Sequence, residues 1–180
     1  QLLWLNLLTD GLLGLGLGLE PAEKGTMKKP PRSPQENIFS KGVGTHVLWV
    51  GLVIGLMALG AGLLYFDPAN AAADRRWQTI IFTSLAFMQM GQALASRSSQ
   101  ESLFSMGLRS NPVLLGLVLL TIASQLTVVY LPALDQFFQV TPLRWDEMLL
   151  CAGLGLVTLI LLEAEKMWKR RIRPSRPITS

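Results

Sequence analysis

GVGTHVLWVGLVIGLMALGAGLLYF, residues 42–66, carries no Asp, Glu, Lys or Arg, and its one basic side chain is His46. A run of that length exceeds the roughly 20 residues of helix that cross a bilayer core. Lipid offers no water to the backbone, so such a segment satisfies its own N–H and C=O groups as a helix. Moving outward, residues 77–96, 110–134 and 148–162 are equally free of Asp, Glu, Lys and Arg, and residues 1–19 hold a single charge, Asp10. Half of the 180 residues are hydrophobic, 16% are charged and the mean hydropathy is +0.39. Soluble domains carry about 25% charged residues. An ordinary soluble domain, a nucleic-acid module and a disulfide-stapled secreted fold are therefore excluded, the last because Cys151 is the only cysteine. That cysteine lies in an apolar run and reads as a small buried hydrophobe. The fold class is an all-α, polytopic membrane helical bundle.

The runs resolve into five transmembrane helices over 1–19, 43–66, 77–96, 112–132 and 146–166. They are joined by 20–42, 67–76, 97–111 and 133–145 and followed by a basic tail, 167–180. Thirteen of the sixteen Lys and Arg fall on one side: five in the 20–42 loop, Arg97 and Arg109 in the third connection, and six from Lys166 onward. Arg75, Arg76 and Arg144 alone fall on the other. The positive-inside bias makes the richer side cytoplasmic, so the first helix enters from outside and the C-terminus is cytoplasmic. Trp77, with Tyr65 and Phe66, and the pair Trp145 and Trp168 read as interfacial belts. The 20–42 loop holds Pro21, Pro30, Pro31 and Pro34; proline keeps it extended, as a flexible linker or as a semi-rigid strap on a cytoplasmic partner. Gln1 is no initiator, and Leu2–Leu5 is already helix-interior material, so the sequence reads as part of a longer chain.

Chemistry concentrates in the first helix, LLWLNLLTDG. Asn6, Thr9 and Asp10 stand at i, i+3 and i+4 on one helical face. A carboxylate near mid-span costs several kcal/mol unless it is paired, protonated or metal-bound. Carboxylate, amide and hydroxyl oxygens together form part of a shell for a hard cation such as Ca²⁺, whose six to eight ligands need further groups. Gly11, Gly14, Gly16 and Gly18 follow. They point either to local unwinding that frees carbonyls or to close helix packing. Gln89 and Gln92, and Thr121, Ser124 and Gln125, are polar stripes read as interhelical hydrogen bonds, with Gln89 a further candidate oxygen ligand. His46 reads as an interfacial or helix-start residue, and Glu163 and Glu165 with Lys166 and Lys169 as a solvated or interfacial ion-pair cluster. No nucleotide-binding signature and no Cys/His metal box is present in the sequence.

LLWLNLLTDG followed by LGLEPAEKGTMKKPPRSPQENIF resembles the sixth membrane helix and next cytoplasmic loop of calcium-type P-type ATPases. FTSLAFMQMGQALASRS and ESLFSMGLRSN resemble the eighth helix of that family and its exit. The resemblance implies the C-terminal transmembrane half of an ATP-driven cation pump, family helices six to ten, working by alternating access. It implies ion ligation by Asn6, Thr9 and Asp10 through the Asn-x-x-Thr-Asp motif. Where the family's eighth helix can supply a glutamate for a second calcium, Gln89 stands here, which favours one ion per cycle. Leu13 replaces the proline that follows the Asp-Gly pair in the family, and Gly14 is expected to supply the unwinding. The phosphorylated Asp of D-K-T-G-T is not among these residues, so this stretch contributes no catalytic residue. ATP and Mg²⁺ are expected to act through domains outside it. The implied partners are the lipid bilayer and the pump's remaining helices and cytoplasmic domains, with no nucleic acid, and the implied location is the bacterial plasma membrane. A free-standing five-helix scaffold and a pump for Mn²⁺, Na⁺ or H⁺ stay open on the sequence.

Overall fold

A computed structural model describes residues 1–21, 43–70, 74–98, 103 and 110–172. Most of the 20–42 loop, most of the 97–111 connection and the end of the basic tail lie outside these residues, and with them the strap-or-linker question. The described chain is helical, with no strand among the described residues. Its elements are α1 (Leu2–Gly18), α2 (Val43–Leu63), α3 (Arg76–Ala95), α4 (Pro112–Tyr130), α5 (Pro132–Phe138) and α6 (Trp145–Ile172).

Among the described residues, three helices are long and apolar enough to cross a membrane: Val43–Leu63, Pro112–Tyr130 and Trp145–Lys169. α1 is shorter, and α3 is long enough but too polar. The polarity of α3 has a structural reason. Eleven of its 20 residues are buried, among them Thr79, Thr83 and Ser84, because the other helices surround it. α3 and α6 approach so closely that a Cβ added at Gly91 would lie 2.3 Å from the Gly155 carbonyl oxygen, and one at Gly155 would lie 2.6 Å from the Phe87 oxygen. Small residues that let two backbones meet are the usual glue of membrane helices, where burial of apolar surface gives no net drive.

Charged and polar side chains tie the two ends of the bundle. At one end Glu147, 2% exposed, accepts from the Arg76 guanidinium at 3.1 Å and from the Arg144 backbone N–H at 2.7 Å, closing the first turn of α6. Thr79 Oγ1 accepts from the Thr141 N–H at 2.9 Å, and the Tyr130 hydroxyl donates to the Leu143 carbonyl at 3.0 Å. At the other end Lys166 donates to Glu163 Oε1 at 2.8 Å and to the last carbonyl of α3, Ala95 O, a cation at a helix C-terminus.

Several boundaries differ from the sequence reading. α2 stops at Leu63, and Phe66, just beyond it, packs edge-on to Trp77 with ring centroids 5.3 Å apart. The 133–145 connection contains α5, started by Pro132 and closed by Gln139 at φ 53°. α6 extends past residue 166 to Ile172. Glu163 is 2% exposed, so it belongs to a buried ion pair and not to a solvated cluster.

Candidate functional site

α1 changes its winding where its chemistry lies. Leu2–Trp4 and Leu13–Gly18 are α-helical, and Leu5–Leu12 between them is π-helical. The i→i+5 pattern is rare and tends to appear at functional sites. Asn6, Thr9, Asp10 and Gly11 all fall inside it. The expected unwinding at Gly14 is absent: the helix stays wound there, and the departure from α geometry lies before it. Of the later glycines, Gly16 is a packing position, since a Cβ there would come within 2.7 Å of Leu114 Cδ1. Gly14 and Gly18 would meet nothing within 4 Å.

Thr9 is 1% exposed and faces α3. Its hydroxyl lies 2.5 Å from Gln89 Oε1 and also bonds to the Leu5 carbonyl one turn back. The contact ties the inner edge of the motif on α1 to the middle of α3 and brings the Thr9 hydroxyl and the Gln89 amide together. Asn6 and Asp10 are exposed, on the side of α1 that the described bundle leaves uncovered, with Gly11, Gly14 and Gly18. The motif is therefore divided: Thr9 at its inner edge meets Gln89, and the amide and carboxylate face outward. No cluster of three His, Cys, Asp or Glu side chains occurs among the described residues.

The remaining polar positions are structural in character. Gln125, fully buried, donates from Nε2 to Thr83 Oγ1 at 3.4 Å. Thr121 returns its hydroxyl to the Leu117 carbonyl at 2.8 Å. Cys151 is fully buried, 3.3 Å from Ser84 Oγ. His46 Nδ1 pairs with Glu165 Oε1 at 3.0 Å, joining the start of α2 to α6.

One cluster went unread in the sequence. Glu20, just past α1, receives Arg97 through Nε at 3.0 Å and through Nη2 at 2.7 Å. Asn111 Nδ2 donates to Glu20 Oε2 at 2.7 Å and to the Gly16 carbonyl at 3.1 Å, while its Oδ1 accepts the Leu114 N–H at 2.9 Å. Arg97 Nη2 also donates to Ser110 Oγ at 2.6 Å. Burial pushes the Glu20 carboxyl upward, but the hydrogen bonds from Arg97 and Asn111 and the charge of Arg97 outweigh it and hold the group below the usual carboxylate range. Asn111-Pro112 before an apolar run is a readable helix start; nothing in local spacing announces its reach to Gly16 and Glu20.

A family model described as cation transporting ATPase, C-terminus, matches residues 1–168. The chain is 33% identical over 180 residues to the calcium-transporting ATPase type 2C member 2 of Mus musculus, covering 98% of this chain and 19% of that protein. It is 32% identical over 181 residues to type 2C member 1 of Bos taurus, covering 100% and 19%. It is 32% identical over 173 residues to the calcium-transporting ATPase of Bacillus subtilis (strain 168), covering 95% and 19%. The chain thus spans 19% of the length of each of these relatives.

Proposed function

This chain belongs to the cation-transporting ATPases, as their C-terminal region, and from that premise we propose that it forms the ion-ligating membrane domain of an ATP-driven calcium pump. In this reading α1 and α3 cross the membrane with α2, α4 and α6, in a bacterial plasma membrane, with the basic loops and C-terminus cytoplasmic. The calcium-transporting relatives support the choice of ion.

The observation that carries the reading is the pairing of Thr9 with Gln89 inside a π-helical segment that also holds Asn6 and Asp10. Asp10 and Asn6 lie on an uncovered face lined by glycines. A carboxylate left against lipid costs several kcal/mol, so this face is closed by protein or water from the rest of the pump. The missing calcium ligands enter from there. Asn6 and Thr9 supply neutral oxygens, Asp10 supplies the charge, and Gln89 adds a neutral oxygen from α3. With an amide in place of a carboxylate on α3, the local charge suits one divalent ion per cycle. ATP and Mg²⁺ act through domains outside this chain, and the 20–42 loop passes their movement to α1.

In the full-length pump, Asp10→Asn keeps the shape of the side chain and removes its charge. Calcium-activated ATP turnover should fall by about 100-fold or more, as when a charged group is removed from a site that depends on it. Calcium activation equal to that of the unaltered pump removes Asp10 from the ligand set. Activation by Mn²⁺ or Na⁺ in place of calcium keeps the pump and changes its ion.

A further inference from the structure

The geometry points to Glu20, Arg97 and Asn111 as positioning residues for the cation site: a buried latch that fixes the cytoplasmic end of the ligand helix and so sets the affinity of residues a full helix-half away. The inference rests on the transport reading above only in naming what α1 carries.

Three physical features support it. First, the latch holds α1 through both side chain and backbone. The Glu20 N–H turns to the Leu17 carbonyl at 3.1 Å, which leaves the Gly16 carbonyl at the helix end for Asn111 Nδ2 at 3.1 Å. Asn111 therefore caps the end of α1 and the start of α4 at once, with its own amide as the bridge. Second, the donors of the latch are buried. Arg97 is 6% exposed and Asn111 3%, and Arg97 grips Glu20 in the two-pronged geometry that fixes orientation as well as distance. A surface pair would hold nothing in place; this one joins the ends of α1 and α3 to the start of α4. Third, the α-helical stretch Leu13–Gly18 lies between the latch and the π-helical segment, with Gly16 pressed on Leu114. That stretch is wound as α-helix and seated on α4 through Gly16, so a clamp at its end also constrains the next segment, which carries Asn6, Thr9 and Asp10. Thr9 must stay against Gln89 on α3, the same helix whose end Arg97 follows, so the latch and the Thr9–Gln89 contact together fix α1 on α3 at two heights.

The test uses the full-length protein in membranes, with Arg97→Gln, Asn111→Ala, Glu20→Gln and the double variant Glu20→Gln/Arg97→Gln. Asn111→Ala leaves the ion pair in place, and so remains informative where a lone buried charge prevents folding. Half-saturating calcium for ATP turnover should rise about fivefold in Asn111→Ala and Arg97→Gln, with the maximal rate per folded pump nearly unchanged, since a residue acting through coupling shifts a distant site by amounts of this order. The double variant should be shifted no further than the worse single one, because both changes break one contact. A second readout does not involve transport. With Asn6→Cys as the sole thiol, its rate of modification by a methanethiosulfonate reagent should change about threefold or more when Asn111→Ala is added, by the same coupling. If Asp10→Asn leaves calcium activation intact but the thiol rate still responds to Asn111→Ala, the transport reading falls and the latch stands. If neither half-saturation nor thiol rate moves in the folded Asn111→Ala and Arg97→Gln proteins, the cluster is scaffolding only and the inference is overturned.

Discussion

α2 and α3 pack side by side and are built to opposite specifications. α2 is apolar nearly all round, and only Val50, Ile54, Ala58, Ala61 and Gly62 of its 21 residues are buried. Leu48, Leu52, Leu56, Leu59 and Leu63 face outward. α3 buries over half its length and spends those positions on Thr79, Thr83, Ser84 and Gly91 as well as on Ile80 and Phe82. Hydropathy therefore reports how much apolar surface a helix leaves uncovered, not how deep it sits in the bundle. A helix with a clear membrane signal is peripheral, whereas α3, too polar to give one, is central and brings Gln89 to Thr9.

The comparison breaks most sharply at the α3–α6 crossing. Gly91→Leu places a side chain where even a Cβ would lie 2.3 Å from the backbone oxygen of Gly155. Rotamer changes cannot relieve a backbone contact, so the helices must separate, at a cost of about 3 kcal/mol or more. The full-length protein should show little folded material by size-exclusion chromatography in detergent. A monodisperse Gly91→Leu protein with an unchanged thermal midpoint would mean that α3 is not clamped to α6.

The polar tether beyond α3 gives a smaller, pH-dependent effect. Glu20 is held below the ordinary carboxylate range by Arg97 and Asn111, so the unfolded chain binds its proton more readily than the folded one. Stability from this group is present above the unfolded value, about 4.3, and is lost as pH falls through the folded value. Lowering pH from 7 toward 4 and below should therefore reduce the thermal midpoint. Glu20→Gln should start lower at pH 7 and lose less over the same range. Parallel pH profiles for the two proteins remove Glu20 as the source.

How much of this was visible in the sequence follows from the range of each interaction. The apolar α2 and α4 were legible because composition alone marks them, and Asn111-Pro112 marks the start of α4 locally. The Thr-Asp motif placed the candidate ligands, yet their division between an inner Thr9 and an outer Asn6 and Asp10 depends on where α3 lies. The glycines point to unwinding, expected at Gly14, or to close packing; Gly16 does pack, and the departure from α geometry lies earlier, at Leu5–Leu12. Glu20 and Arg97 are 77 positions apart. Arg97 read only as a topological charge and Glu20 only as the start of a loop, because nothing in either neighbourhood names a partner. α5 was hidden because seven residues starting at a proline also read as a connection.

The smallest expected effect is also the one that sharpens the contrast most. Gly51, Gly55 and Gly60 of α2 would meet nothing within 4 Å if each gained a Cβ. A glycine that admits no neighbour only costs the helix, by about 1 kcal/mol relative to alanine in water and less where lipid already enforces hydrogen-bonded backbone. Gly55→Ala should leave the thermal midpoint of the full-length protein unchanged or raise it by a degree or two, about what a few tenths of a kcal/mol produces. The same one-methyl change at Gly91 should lower it clearly, since the added carbon meets backbone there and open space here. If Gly55→Ala is as damaging as Gly91→Ala, the outer face of α2 is occupied by protein in the full-length molecule, and its apolar surface is an interface with another helix instead of a lipid boundary.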